Sequence, residues 1–399
     1  RQRQMCIRDS LSTILIPLST IALFCLNAGM SPTIKIVLAV VTYLLWDTCY
    51  TLCDAPIFAL PTAMTSSVKE RSGFMTVGTV GGSLAAALAT VFLVPYAENN
   101  GYLKAAIIVA VVSFLAMSLI SLFGKERYKV KEEVLEKPAS LRDTWEYLIH
   151  NKYLLYFYAY RMISGSIAVS MLIYVAKYCL GDVKYMSMVV AISVIPICIL
   201  FLFSGKIFKR FDKIVVYRFC MIATILMNAI TLFVGYQNRT LAIACLVVIA
   251  VLAILPSILM GAIPQDCVEY GTYKTETRKE GITFALQTFA NKLTAAVATI
   301  ITGGVLTFVG YDVAAEKAAT EAHKVVEIAV SQATVSGMWK ASFIVPIIGQ
   351  LLAIGFLFAY NLRDKDVQIM SDCNAGKITK AEAEALPVSY THLRAHETT

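Results

Sequence analysis

Charge and histidine are scarce in this sequence. Only 16% of its 399 residues are Asp, Glu, Lys or Arg, and only four are histidine; a soluble domain is about 25% charged. His392 and His396 lie at the extreme C-terminus, which leaves His150 and His323 far apart in sequence. That spacing gives no support to a catalytic group built around histidine. The ten cysteines contain no Cys-x-x-Cys pair and no Cys/His cluster, so no metal centre is expected. Cys25, Cys49, Cys53, Cys179, Cys198, Cys220 and Cys245 lie in apolar runs, where Cys acts as a small hydrophobe. Neither a cofactor nor an enzymatic activity is expected.

Apolar residues are abundant instead. They make up 58% of the chain, and the mean hydropathy is +0.68; a soluble domain is about 45–50% apolar. Long apolar segments recur from end to end, at roughly 11–30, 34–62, 74–97, 102–123, 153–180, 186–208, 214–236, 240–263, 283–309 and 338–360. Each supplies the ~20 residues that a membrane-spanning helix needs. The expected class is therefore an all-α polytopic membrane protein whose main partner is the lipid bilayer. The formal net charge of +8 does not point to nucleic acid, because the basic residues sit in short loops between apolar segments.

The two ends read differently. The chain opens RQRQMCIRDS and closes VSYTHLRAHETT. One DNA coding of MCIRDS has a reverse complement that reads VSYTH, so both ends can be one short element read from opposite strands. That element resembles the end of a sequencing-library transposon. Residues 1–10 and 388–399 are expected to be assembly scars, with natural sequence missing before residue 11.

Between the fourth and fifth segments lies GKERYKVKEEVLEKPASLRDTWEYLIHNK, residues 124–152, the longest charged stretch. It divides the chain into a bundle over 11–124, a loop over 125–152, a second bundle over 153–365 and a tail over 366–387. Lys and Arg alternate in density from loop to loop. Lys69, Arg71, the many basic residues of 125–152, Lys209, Arg210, Lys213, Lys274, Arg278 and Lys279 fall on one side, which the positive-inside rule makes cytoplasmic. The 125–152 loop and the C-terminal end are expected inside, and the 310–337 loop outside.

Some polar residues interrupt the apolar segments. YTLCDAPIFAL, residues 50–60, holds Asp54 late in the second segment. A charge at the centre of a membrane helix costs roughly 2.5–3.5 kcal/mol on insertion scales. Asp47, Thr51 and Asp54 are spaced i, i+4, i+7 and share a helical face, bordered by Tyr50 and Phe58. Such a face belongs against the bundle interior or a wet cavity; a bond to a neighbouring helix would satisfy Asp54 as well as a solute would. A second set, Gln287, Thr288, Asn291 and Lys292, falls within about one and a half turns of the ninth segment. Two polar sets of opposite charge in two halves suggest a central site for a polar solute. A channel would need a continuous polar pore, which the single depth of these residues does not provide.

YTLCDAPIFAL followed by PTAMTSSVKERSGF, and later DCVEYGTYKTETRKEGITFALQTFANK at 266–292, resemble two long motifs of the glycoside–pentoside–hexuronide:cation symporters of the major facilitator superfamily. YVAKYCLGD at 174–182 and GGVLTFVGY fit the same family, and the resemblance covers about residues 11–365. It implies twelve helices in two bundles, of which the ten segments here would be helices three to twelve. The family's principal cation-binding carboxylates would then lie on an absent helix two. The resemblance further implies a sugar or glycoside substrate, a coupling cation (Na⁺ or H⁺), alternating access, a plasma-membrane location and a monomeric working unit.

Residue roles follow from the matched motifs. Asp54 takes the place of a sugar-hydroxyl ligand, with Tyr50 and Phe58 beside it. Thr51 falls near the cation site, and Asp47 is an additional carboxylate there. Lys292 takes the place of a lysine linking sugar and cation sites, with Thr288 and Gln287 on the substrate side. Asp266 and Glu269 match acidic positions of a cytoplasmic gate, closing against Arg71 and its neighbours. An arginine usual in the family's helix five is Thr79 here, and Arg161 is a candidate replacement, unless it snorkels to the cytoplasmic face. Gly78, Gly81 and Gly82 are expected to let helices approach closely. A carrier of a non-sugar polar solute is the alternative reading.

Overall fold

A chain this apolar leaves its backbone amides no water to bond, so each segment must satisfy them internally, as a helix does. The computed structural model describes residues 2–25, 30–64, 84–123, 141–168, 171–275, 280–312, 330–374 and 376–385, together with Gly78, Gly81 and Gly82. Of residues 2–12 and 52–64 only the backbone is described. Every regular element among the described residues is helical. Seven spans among the described residues are long and apolar enough to cross a membrane, one of them, Arg239–Thr275, made of two successive helices. The other three expected segments are the first, whose apolar part is Thr13–Phe24; the third, which includes residues outside the described ones; and the fifth, which is broken.

The chain forms two compact units, Arg1–Leu135 and Glu136–Thr399. In the first, α1 (Gln2–Phe24) packs against α2 (Pro32–Met64) and α4 (Tyr102–Phe123). Between α2 and α4, a π turn at Ala89–Leu93 runs into α3 (Val94–Asn100). Gly101, at φ 91°, then makes the reversal into α4, a left-handed conformation that glycine adopts without strain. Trp46 Nε1 donates to Thr20 Oγ1 at 3.1 Å and ties α2 to α1. Among the described residues no close approach is seen at Gly78, Gly81 or Gly82, where an added Cβ would meet no described atom within 4 Å.

The second unit holds α5 (Leu141–His150), α6 (Lys152–Ser166), a short α7 (Leu172–Tyr174) continued by a π turn at Val175–Cys179, and α8 (Lys184–Arg210). It continues with α9 (Lys213–Val234), α10 (Arg239–Leu252), α11 (Ile254–Thr275), α12 (Glu280–Phe308) and α13 (Gln332–Ala359), and closes with α14 (Asp364–Asn374) and α15 (Lys380–Ala385). α6 is central and packs on α12 and α13. Its Asn151 N-cap accepts from Leu154 N at 3.2 Å and donates to Cys267 O of α11 at 2.7 Å. Tyr158 Oη donates to Thr283 O of α12 at 2.8 Å. These bonds place the starts of α6 and α12, and the end of α11, at one end of the unit.

Close approaches occur at other glycines than those expected. A Cβ on Gly165 of α6 would come within 2.5 Å of Thr294 Cγ2 on α12. One on Gly349 of α13 would come within 2.5 Å of the Ile167 carbonyl, where α6 ends. Arg218 donates to Leu357 O, Phe358 O, Tyr360 O and Asn361 Oδ1, between 2.6 and 3.3 Å. It thereby satisfies the carbonyls that the end of α13 leaves unpaired.

Candidate functional site

The two polar sets lie on different units and are described separately. On α2, Thr51 Oγ1 donates to the Asp47 main-chain oxygen at 2.7 Å, one turn below it. Tyr50 is positioned through its neighbours: its ring stacks on Trp46 with centroids 5.6 Å apart, and Trp46 is held to α1. Trp46 escaped the sequence reading, although its place four residues before Tyr50 is the i, i+4 signal for such a stack. Asp54 and Phe58 lie on the helical backbone of α2, and their side chains are outside the described residues. Arg71 and Thr79 are outside them as well.

The second set stands on α12. Thr288, Asn291 and Lys292 are exposed on the unit's surface, and Gln287 is half-buried. Gln287 Nε2 donates to Met260 O of α11 at 3.3 Å, while its buried Oε1 has no hydrogen-bond partner among the described residues. From α6, Arg161 Nη2 donates to Asn291 Oδ1 at 3.4 Å. The i, i+4 spacing predicted that the α12 residues would share a face; that α6 would bring a guanidinium to Asn291 was not legible from spacing.

Asp266 and Glu269 find partners within their own unit. Lys213 Nζ, at the start of α9, lies 2.7 Å and 2.5 Å from the two oxygens of Asp266 and 3.4 Å from Asp364 Oδ1. Asn374 Nδ2 donates to Glu269 Oε2 at 2.9 Å and to its main-chain oxygen at 3.0 Å. The cluster ties α9, α11 and α14 together at one end of the unit. The C-terminal half of α11 thus carries the polar residues that hold α14.

A cavity of about 280 Å³ lies elsewhere in the second unit, lined by Leu172, Thr224, Asn228, Ser342, Pro346 and Gln350 among others. Its lining carries no charge, so it lacks the means to orient an ionic solute. Among the described residues, no three His, Cys, Asp or Glu side chains gather as a metal cage would.

Residues 11–364 match the family model described as MFS/sugar transport protein. The chain belongs to that family. The membership agrees with the resemblance to the cation symporters and with the all-helical, multi-pass architecture. Among its relatives, an uncharacterized symporter of Bacillus subtilis (strain 168) is 27% identical over 311 residues, which is 75% of this chain and 67% of that protein. A protein of Escherichia coli (strain K12) named a putative sulfoquinovose importer is 25% identical over 368 residues, 90% of this chain and 76% of its own length. An isoprimeverose transporter of Lactiplantibacillus pentosus is 24% identical over 378 residues, 90% of this chain and 74% of its own.

Proposed function

We propose that the protein is a secondary active transporter that carries a sugar or glycoside together with a cation, Na⁺ or H⁺, by alternating access. The observation that carries the reading is the polar set of α12 in an otherwise apolar helix. Three of its members are exposed, and the fourth, Gln287, keeps an acceptor without a partner among the described residues. An unsatisfied buried acceptor costs about 1–3 kcal/mol, a cost that a solute hydroxyl donating to it would remove. The relatives' names, which include an isoprimeverose transporter, support a sugar as that solute.

In this reading Asp54, Tyr50, Phe58, Gln287, Thr288 and Lys292 contact the solute. A carboxylate suits the task because it accepts two charge-assisted bonds from adjacent hydroxyls. Thr51, Asp47 and Lys292 couple it to the cation, Na⁺ or H⁺, and no further cofactor is called for. The two bundles, family helices three to six and seven to twelve, rock about the solute. Asp266, Glu269 and Arg71 lie at the cytoplasmic gate. The protein acts as a monomer in the plasma membrane with its C-terminus inside. The putative sulfoquinovose importer favours a second reading, a carrier whose solute is recognised by a charged group rather than by its hydroxyls alone.

Uptake by proteoliposomes tests the first reading, with Asp54→Asn as the variant. Asparagine keeps the size and removes the charge. Sugar binding should weaken by about 10- to 150-fold, the equivalent of losing one hydrogen bond to a charged group. Folded yield should hold, since a neutral amide is cheaper in the bilayer than a carboxylate. Normal affinity with a depressed yield would make Asp54 a structural residue instead.

A further inference from the structure

Arg161 is a cation well inside an otherwise apolar stretch of the chain. It lies nine residues after Lys152, the first residue of α6. At 1.5 Å per residue that is about 14 Å along the helix, near the middle of a ~30 Å hydrocarbon layer. Its direction follows from the helix packing. Gly165 faces Thr294. One turn back along both helices sets Arg161 level with Ala290 and Asn291, and the side chain reaches across to Asn291 rather than back toward the end of the helix. Snorkelling, the usual relief for a membrane arginine, would require the opposite course.

Among the described residues, nothing nearby neutralises it. Asn291 offers a neutral oxygen at 3.4 Å, and among the described residues no carboxylate pairs with Arg161. A guanidinium has five donors in a planar fork that matches two oxygens of one anion. Among the described residues one of these donors is engaged, at 3.4 Å. Thr288 and Lys292, on the adjoining turns of α12, are exposed beside Asn291. The helix that carries Arg161 stops at Ser166, and Ile167 leaves the helical conformation at φ −88°, ψ 51°. Broken helices within the bilayer are where carriers place their solute sites.

We propose that Arg161, positioned by Asn291, receives an anionic substituent of the transported solute, a sulfonate or a carboxylate. The proposal rests on the transporter reading and deepens it. Such a group gives the fork two oxygens and neutralises a cation that a wholly uncharged solute would leave unpaired in the bilayer. Thr288 is placed to bond the hydroxyls of the same solute.

The test is equilibrium binding to the purified full-length protein in nanodiscs. The probes are three sugars that differ only at C6: glucose, glucuronate and 6-deoxy-6-sulfoglucose. The wild type should bind at least one anionic sugar about tenfold or more tighter than glucose. In Arg161→Gln the ratio of anionic to neutral affinity should fall by about 10- to 150-fold, the loss of one or more charge-assisted bonds. Arg161→Lys should keep part of the ratio, because a point charge remains but the fork does not. Glucose bound as well as both anionic sugars by the wild type would overturn the proposal and leave the sugar-transport reading standing. So would an Arg161→Gln protein that weakens all three equally, the mark of an ion pair internal to the protein. A wild type that binds none of the three would reject the sugar reading, and this inference with it.

Discussion

Lys213 shows how a charged residue is held at the margin of an apolar helix. Its side chain is 22% exposed and that of Asp266 is 13% exposed, so neither is fully solvated. Exposed ion pairs contribute about 0–1 kcal/mol. Breaking a buried pair costs roughly 3–5 kcal/mol, because the surviving charge stays desolvated. Lys213→Met keeps the aliphatic stem and strands Asp266 beside Asp364. The intermediate burial sets the expected loss at about 2 kcal/mol, between those limits. Adding Asp266→Asn should recover part of it. Thermal unfolding of the single and double variants in detergent checks both steps; a single variant as stable as the wild type would make the pair incidental. The sequence holds both residues in plain sight, yet they are 53 positions apart, and no spacing rule joins them.

At the scale of elements, two glycines of one helix separate packing from propensity. On α13, Gly349 lies against the end of α6, where a Cβ would meet the Ile167 carbonyl at 2.5 Å and its Cβ at 2.9 Å. Backbone cannot turn aside as a flexible side chain can. Gly355, six residues on, has no described atom within 4 Å of an added Cβ. Alanine is favoured over glycine inside a helix by roughly 0.5–1 kcal/mol. Gly355→Ala should therefore raise stability by about that amount. Gly349→Ala should lower it by about 1–3 kcal/mol, the range for overpacking. Parallel melting curves of the two purified variants give the comparison, and a stabilised Gly349→Ala protein would show that α6 and α13 can part without cost. Hydropathy marks both glycines alike; only the neighbour of each decides the sign.

The whole molecule must place its loops on two sides of a bilayer. The excess of Lys and Arg in alternate loops predicts that residues 125–152 and Lys279 lie inside, and residues 312–335 outside. Single cysteines at 131 and at 323 test this in intact cells with an impermeant thiol reagent. The background must lack the native cysteines, since Cys25 is exposed and Cys198 and Cys373 are partly so. Labelling at 323 and protection at 131 is the expected pattern. The reverse pattern would invert the orientation and move the Lys213–Asp266 cluster to the outer face.

The sequence alone determined the class, the positions of the seven membrane-length apolar segments found among the described residues, and the polar set of α12. Those properties are local. Hydropathy over twenty residues and the 3.6-residue repeat act within one element, whatever lies beside it. The resemblance of the two long motifs likewise reached the family without a structure. Tertiary structure decided the rest: that Arg161 meets Asn291, that Asp266 spends its charge on Lys213, and that the close contacts fall at Gly165 and Gly349 rather than at Gly78, Gly81 and Gly82. Each depends on which helix stands beside which. In a bilayer that choice is governed by packing and polar contacts between helices that are all comparably apolar, so hydropathy cannot distinguish one neighbour from another.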